Sequence, residues 1–174
     1  NVLLVDGAEA LESRDRATFY LEAALSPLGD SLGEALSPFR VETVPLSRLT
    51  AAALEGKDAV VVADADRLAM AGPLKELLAR GGAVLVFLGP NVDTEAYNRD
   101  LLAADDGVAA LRLLGPAGDP SLRLGVKLRP KALDHPFVQF FADRDDVRLD
   151  GADVWRYVRV EAGEGAREIG RAHV

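Results

Sequence analysis

Four stretches of the chain carry the hydrophobic pattern of strands, and the segments between them carry that of helices. Val2 to Val5 is a short apolar run ending at Asp6-Gly7, the way a first parallel strand hands over to a loop. Phe39 to Val44 alternates apolar and polar positions and stops at Pro45, which predicts a strand with one wetter face at or near a sheet edge. Asp58 to Ala63 is a β-branched run suited to a central strand, finishing in Asp64-Ala65-Asp66. Ala83 to Leu88 is an unbroken apolar run, entered from Gly81-Gly82 and left through Gly89-Pro90. It predicts a central strand buried on both faces.

Between these runs the period lengthens. From Asp15 the residues Ala17, Tyr20, Leu21, Ala24, Leu25 and Leu28 fall on one helical face. Leu46 to Leu54 predicts a short helix begun by Ser47 or Thr50, and Gly72-Pro73 a helix with proline at its first position, burying Leu74, Leu77 and Leu78. Asp93 is placed to cap a helix from Thr94 to about Ala103. The resulting βαβαβαβα order implies a parallel sheet with right-handed crossovers and helices on both faces, a three-layer α/β/α fold.

The second half predicts additional C-terminal strands. Leu111 to Leu114, Leu122 to Leu128, Val147 to Leu149 and Val154 to Val160 are the candidates, with a Gly/Pro-rich loop from Gly115 to Pro120. Asp134-His135-Pro136 reads as a helix start before Phe137, Val138, Phe140 and Phe141, with the aspartate as cap. One domain over 1–160 is expected, followed by a poorly packed tail over 161–174 with no closing element.

Composition narrows the classes. A chain of 174 residues is long enough for one substantial core, burying roughly 70% of its unfolded surface. No apolar run approaches a membrane span. Twenty basic and twenty-eight acidic side chains give a net charge of −8 without a Lys/Arg stripe to track phosphates, so nucleic acid is not an expected partner. Cysteine is absent, which removes disulfides, thiolate metal sites and a cysteine nucleophile. The chain opens at Asn1 and enters a strand at once, which reads as a domain cut from a longer protein.

With parallel strands, Asp6, Asp64, Asp66, Asn91 and Asp93 gather at the carboxyl edge of the sheet, where ligands sit in open α/β folds. Oxygen ligands of this kind suit magnesium or calcium, yet carboxylates at strand ends more commonly cap helices and turns, and no metal is expected. Gly81-Gly82 precedes a strand and so acts as a helix C-cap, not a phosphate loop; no cofactor is expected. The histidine of the folded body, His135, lacks a serine on a strand-to-helix elbow, with Ser13 and Ser121 the nearest candidates. Trp155 and Tyr157 share a strand face in company with Arg156 and Arg159, residue types that dominate docking surfaces.

The run Val-Leu-Leu-Val-Asp-Gly at the start, Ser37 to Leu49, Asp58 to Asp64, Leu77 to Gly89 with Tyr97-Asn98 after it, and Asp134-His135-Pro136-Phe137 together resemble a class I glutamine amidotransferase-like domain. The version most similar is that of bacterial membrane-anchored proteins carrying a von Willebrand A domain, of the aerotolerance type. The resemblance implies a flavodoxin-like sheet and tethering to the bacterial inner membrane, on the extracytoplasmic side, by segments outside this chain. Active members place a cysteine on a Gly-x-Cys-x-Gly elbow; here that elbow falls at Leu88-Gly89-Pro90, without a cysteine or a later His-x-Glu. The expectation is a non-catalytic interaction or ligand-sensing domain, its pocket formed by Asp6, Asp64, Gly89, Asn91, Tyr97 and His135. Its docking surface is Trp155, Tyr157 and Arg159, and its partners are other domains of the same polypeptide or another protein. The alternative is a sugar-binding or hydrolytic protein of the trehalose-utilisation-like branch, acting through Asp6, Asn91, Tyr97 and His135.

Overall fold

The computed structural model describes residues 1–8, 10, 12–27, 37–102, 107–122, 125–130, 134–141 and 149–173. They fall into two compact units, 1–108 and 109–174. In the first, β1 (Val2–Asp6), β2 (Val41–Pro45), β3 (Ala59–Ala63) and β4 (Ala83–Phe87) form a parallel sheet in the order β2-β1-β3-β4. Val5 stands beside Val44 on one side and Val62 on the other, and Val62 beside Val86. The order is that of flavodoxin-like doubly wound sheets. Every residue of β1 is buried, and β3 is buried from Val60 to Ala63, so both faces of the two inner strands are covered. The chain has the expected α/β architecture.

β1 and β3 are inner strands because their residues are apolar on both faces, which only a covered position tolerates. β4 differs from expectation. Among the described residues it is an edge strand, and Ala83, Leu85 and Phe87 on one face are exposed while Val84 and Val86 are half-buried. An apolar run has the same composition whether it has one neighbour or two, so the run itself does not reveal its place in the sheet.

The first helix, α1 (Phe19–Leu25), is shorter than the pattern predicts, with a 3-10 turn at Ser13–Asp15 before it. Leu21 and Leu25 pack on Val2, Leu4 and Val61, but Tyr20 and Ala24 face outward. The fully buried Thr18 is turned towards Asp6, which rotates the inner face to Thr18, Leu21 and Leu25. Residue 28 lies outside the described residues. The 46–54 segment forms two 3-10 turns, Leu46–Arg48 and Ala51–Leu54, the second capped by Thr50.

α2 (Ala71–Ala79) begins two residues before Pro73, still within the first turn, where no N–H is required. It buries Leu74 and Leu77 and leaves Leu78 partly exposed. Gly81, at a φ of +89°, closes it: Gly81 N donates to Leu78 O and Gly82 N to Leu77 O. α3 (Thr94–Asp100) is capped by the Asp93 carboxylate, which accepts from Glu95 N and Ala96 N at 3.0 Å each. It stops before the expected Ala103, itself outside the described residues.

The second unit is antiparallel. β5 (Leu111–Ala117) pairs with β8 (Tyr157–Ala162), and β6 (Val126–Pro130) lies between β7 (Asp153–Val154) and β9 (Gly170–His173). The Gly115 to Ala117 part of the predicted loop is strand, admitted by a register shift between Leu113 and Gly115. The run from Val154 to Val160 is not one strand: Trp155 and Arg156 interrupt it, and its two parts belong to different sheets. The end of the chain supplies β9, since backbone ladders require no apolar side chains. A short helix, α4 (Pro136–Gln139), begins at His135, whose carbonyl accepts from Val138 N and Gln139 N, and Asp134 pairs with Arg167 at 3.2 Å. The Val147 to Leu149 strand candidate lies outside the described residues up to 148; Leu149–Gly151 is a 3-10 turn.

Candidate functional site

The carboxyl edge of the parallel sheet brings together five of the six pocket candidates, and the segment leaving β3 is the centre of their contacts. Asp64 takes a left-handed conformation, φ +51°, unusual for a residue with a side chain. Its N–H donates to Phe87 O at 3.0 Å. Its carboxylate accepts from Asn91 N at 3.0 Å and from Asn91 Nδ2 at 2.8 Å. A local strain is thus held by charge-assisted bonds to the loop after β4.

Two glycines make this closeness possible. A Cβ on Gly7 would stand 2.2 Å from Asp64 O and 2.4 Å from Ala65 N, and one on Gly89 would stand 2.2 Å from Asp64 Oδ1. The exits of β1 and β3 are therefore pressed together at backbone contact, and the exit of β4 lies against the Asp64 side chain. Any side chain at position 89, a nucleophile included, would displace the Asp64 carboxylate from Asn91.

α3 secures the same segment from its other end. Asp93 N donates to Asp66 O at 2.8 Å, and the buried Tyr97 donates its hydroxyl to Ala65 O at 3.3 Å. Burial, and then the Asp66 and Asp64 carboxylates nearby, push the Tyr97 phenol up to about 12. An acid whose folded-state value is raised favours the protonated folded state. Stability from Tyr97 is complete below the ordinary phenol value near 10 and is lost as pH rises from there through about 12. Absorbance titration of the parent against Tyr97→Phe is expected to show one phenolate that forms only near the upper end of this window. Its ionisation near pH 10 would contradict the buried placement.

Asp6 is 3% exposed. Oδ1 accepts from Ala8 N at 3.0 Å and Ala17 N at 3.3 Å, and Thr18 Oγ1 lies 3.4 Å from Oδ2. Thr18 Oγ1 is also 3.1 Å from Glu22 Oε1, and Glu22 pairs with Arg16 at 2.9 Å. This is a turn-closing carboxylate. Among the described residues, no buried side-chain nitrogen or oxygen is left without a hydrogen-bond partner, and no three carboxylate or histidine side chains converge to hold a metal ion.

His135 belongs to the second unit, half-buried before α4. There Trp155 and Tyr157 are half-buried and Arg159 is exposed, with Gly118 seated under the Trp155 carbonyl. Trp155 lies outside any strand, so the predicted shared strand face of Trp155 and Tyr157 is not formed.

Beside the closed edge lies an open cleft of about 400 Å³ that sequence reasoning missed. Leu46, Ser47 and Leu49 line it from the chain after β2, and Asp66, Arg67, Leu68, Ala69 and Met70 from the chain after β3. These two segments become neighbours only through the strand order, and nothing in either one signals the other. The Pro45 stop and the aperiodic stretch after Asp64 were the only local marks.

No helix of the described residues is long and apolar enough to cross a membrane. Comparison of the chain with protein-family models, with curated proteins and with solved structures finds no match.

Proposed function

We propose that this chain is a non-catalytic amidotransferase-like module that senses a ligand or engages a partner protein. The observation that carries the reading is Gly89: the position where an elbow nucleophile would stand is occupied by a glycine against the Asp64 carboxylate. The lack of cysteine throughout the chain supports it. The partners are other domains of the same polypeptide or another protein, met through Trp155, Tyr157 and Arg159. Tethering to the bacterial inner membrane, facing the extracytoplasmic side, would come from segments outside this chain.

The sugar-directed alternative needs Asp6 and Tyr97 to reach a ligand. They are only 3% and 1% exposed, and both are committed to neighbouring loops. It gains no support from either residue.

The purified chain, incubated with glutamine and separately with a generic ester, is expected to release no glutamate or alcohol above the buffer rate. Turnover abolished by a single substitution at Asn91 or His135 would overturn the proposal.

A further inference from the structure

We infer that the cleft between the segments leaving β2 and β3 binds a small aliphatic monocarboxylate, its head group on Arg67 and its body on Leu46, Leu49, Leu68 and Met70. The inference deepens the sensing reading and rests on it.

Position is the first argument. β2 and β3 flank β1 in the sheet, so the chain segments leaving their carboxyl ends meet at the carboxyl edge beside the end of β1. In open α/β sheets ligands bind outside the carboxyl ends of the strands. At about 400 Å³ the cleft falls within the range of small-molecule sites. Its walls are mainly apolar, and Leu68, 1% exposed, fixes one of them to the core.

The polar groups select the ligand. Arg67 is the one cation in the lining, its side chain is 70% exposed, and its charged contact is a loose one, Nε to Asp66 Oδ2 at 3.5 Å. Asp66 Oδ1 already accepts from Arg67 N at 2.8 Å. The acid is therefore occupied, while the guanidinium retains N–H groups for a planar anion, which arginine binds in bidentate fashion. A single cation beside an acid suits one negative charge and not two. The surroundings favour the same choice: nine of the twenty basic and eighteen of the twenty-eight acidic side chains lie in residues 1–108, a field that opposes polyanions. A cationic ligand would have to displace Arg67 from Asp66.

The test is an NMR titration of the full chain with hexanoate, hexanol and hexylammonium. Hexanoate is expected to shift the amides of 46–49 and 66–70 saturably and to bind about tenfold more tightly than hexanol. Arg67→Gln, at an exposed position that does not threaten folding, should lower hexanoate to the affinity of hexanol. Leu49→Ser should weaken both. Equal binding of hexylammonium and hexanoate, indifference of hexanoate to Arg67→Gln, or no saturable shift at these amides would each overturn the inference. Because hydrolysis is scored in a separate assay, failure here leaves the non-catalytic reading standing, and turnover there leaves the carboxylate site standing.

Discussion

Gly7→Ala is expected to lower the unfolding free energy of the first unit by about 3 kcal/mol. The reason is that the added methyl would meet backbone, at 2.2 Å from Asp64 O and 2.4 Å from Ala65 N and Cα. A side chain in the way can rotate, whereas backbone can move only with the strands attached to it. Here Gly7 N is bonded to Ala63 O and Asp64 N to Phe87 O, so a shift of one exit strains both. Gly89→Ala meets the Asp64 side chain instead. It should cost about half as much, through the lost Asn91 bonds. Urea unfolding followed by far-ultraviolet circular dichroism is the suitable measurement, because the single tryptophan, Trp155, lies in the second unit. If Gly7→Ala were as stable as the parent, the exits could not be in backbone contact.

This sensitivity is a consequence of how the carboxyl edge is built. The segment Asp64 to Asp66 receives contacts from Gly7, from Gly89 and Asn91, and from Asp93 and Tyr97. Asn91, Asp93 and Tyr97 among them also stood out as candidates for chemistry, since acids, amides and phenols at strand ends serve both roles. Counting donors and acceptors separates the two. At Asp6, Asp64, Asp93 and Tyr97 the polar atoms have partners within the fold. At Arg67 the guanidinium has groups to spare, and it faces a cleft.

How much of this was legible depended on whether the determining contact was local. The β-branched run of β3 announced an inner strand, Asp93 announced a cap three residues before Ala96, and Gly81 announced a helix end. All three depend on neighbours within a few residues. The outer position of β4 depends on whether a fifth strand joins it, which the run Ala83 to Phe87 cannot express. The rotation of α1 depends on Thr18 meeting Asp6, a contact across the β1 exit loop. The alternation from Val154 to Val160 would serve one strand as well as two; the break at Trp155 comes from the change of partner, from β6 to β5. The gathering of Asp6, Asp64, Asp66, Asn91 and Asp93 was legible from the parallel order. Their mutual satisfaction was not, because it required the register Asp6 to Ala63 to Phe87 across three strands.

The central claim is that the polar residues of the carboxyl edge hold the loops to one another and leave binding to the cleft beside them. Asp6 decides it most clearly, being a buried acid that a catalytic or sugar-binding account would aim at a ligand. Removing its carboxylate leaves Ala8 N and Ala17 N to find other partners, while the Thr18 hydroxyl keeps Glu22. Asp6→Ala should therefore cost about 3 kcal/mol, since each buried donor left unpaired forfeits its share of the lost solvation. A residue kept for function behaves in the opposite way, because its removal is neutral or stabilising. The measurement is the urea-unfolding free energy of Asp6→Ala beside the parent: a loss of this size is the predicted result, and a variant as stable as the parent or more so would contradict the account.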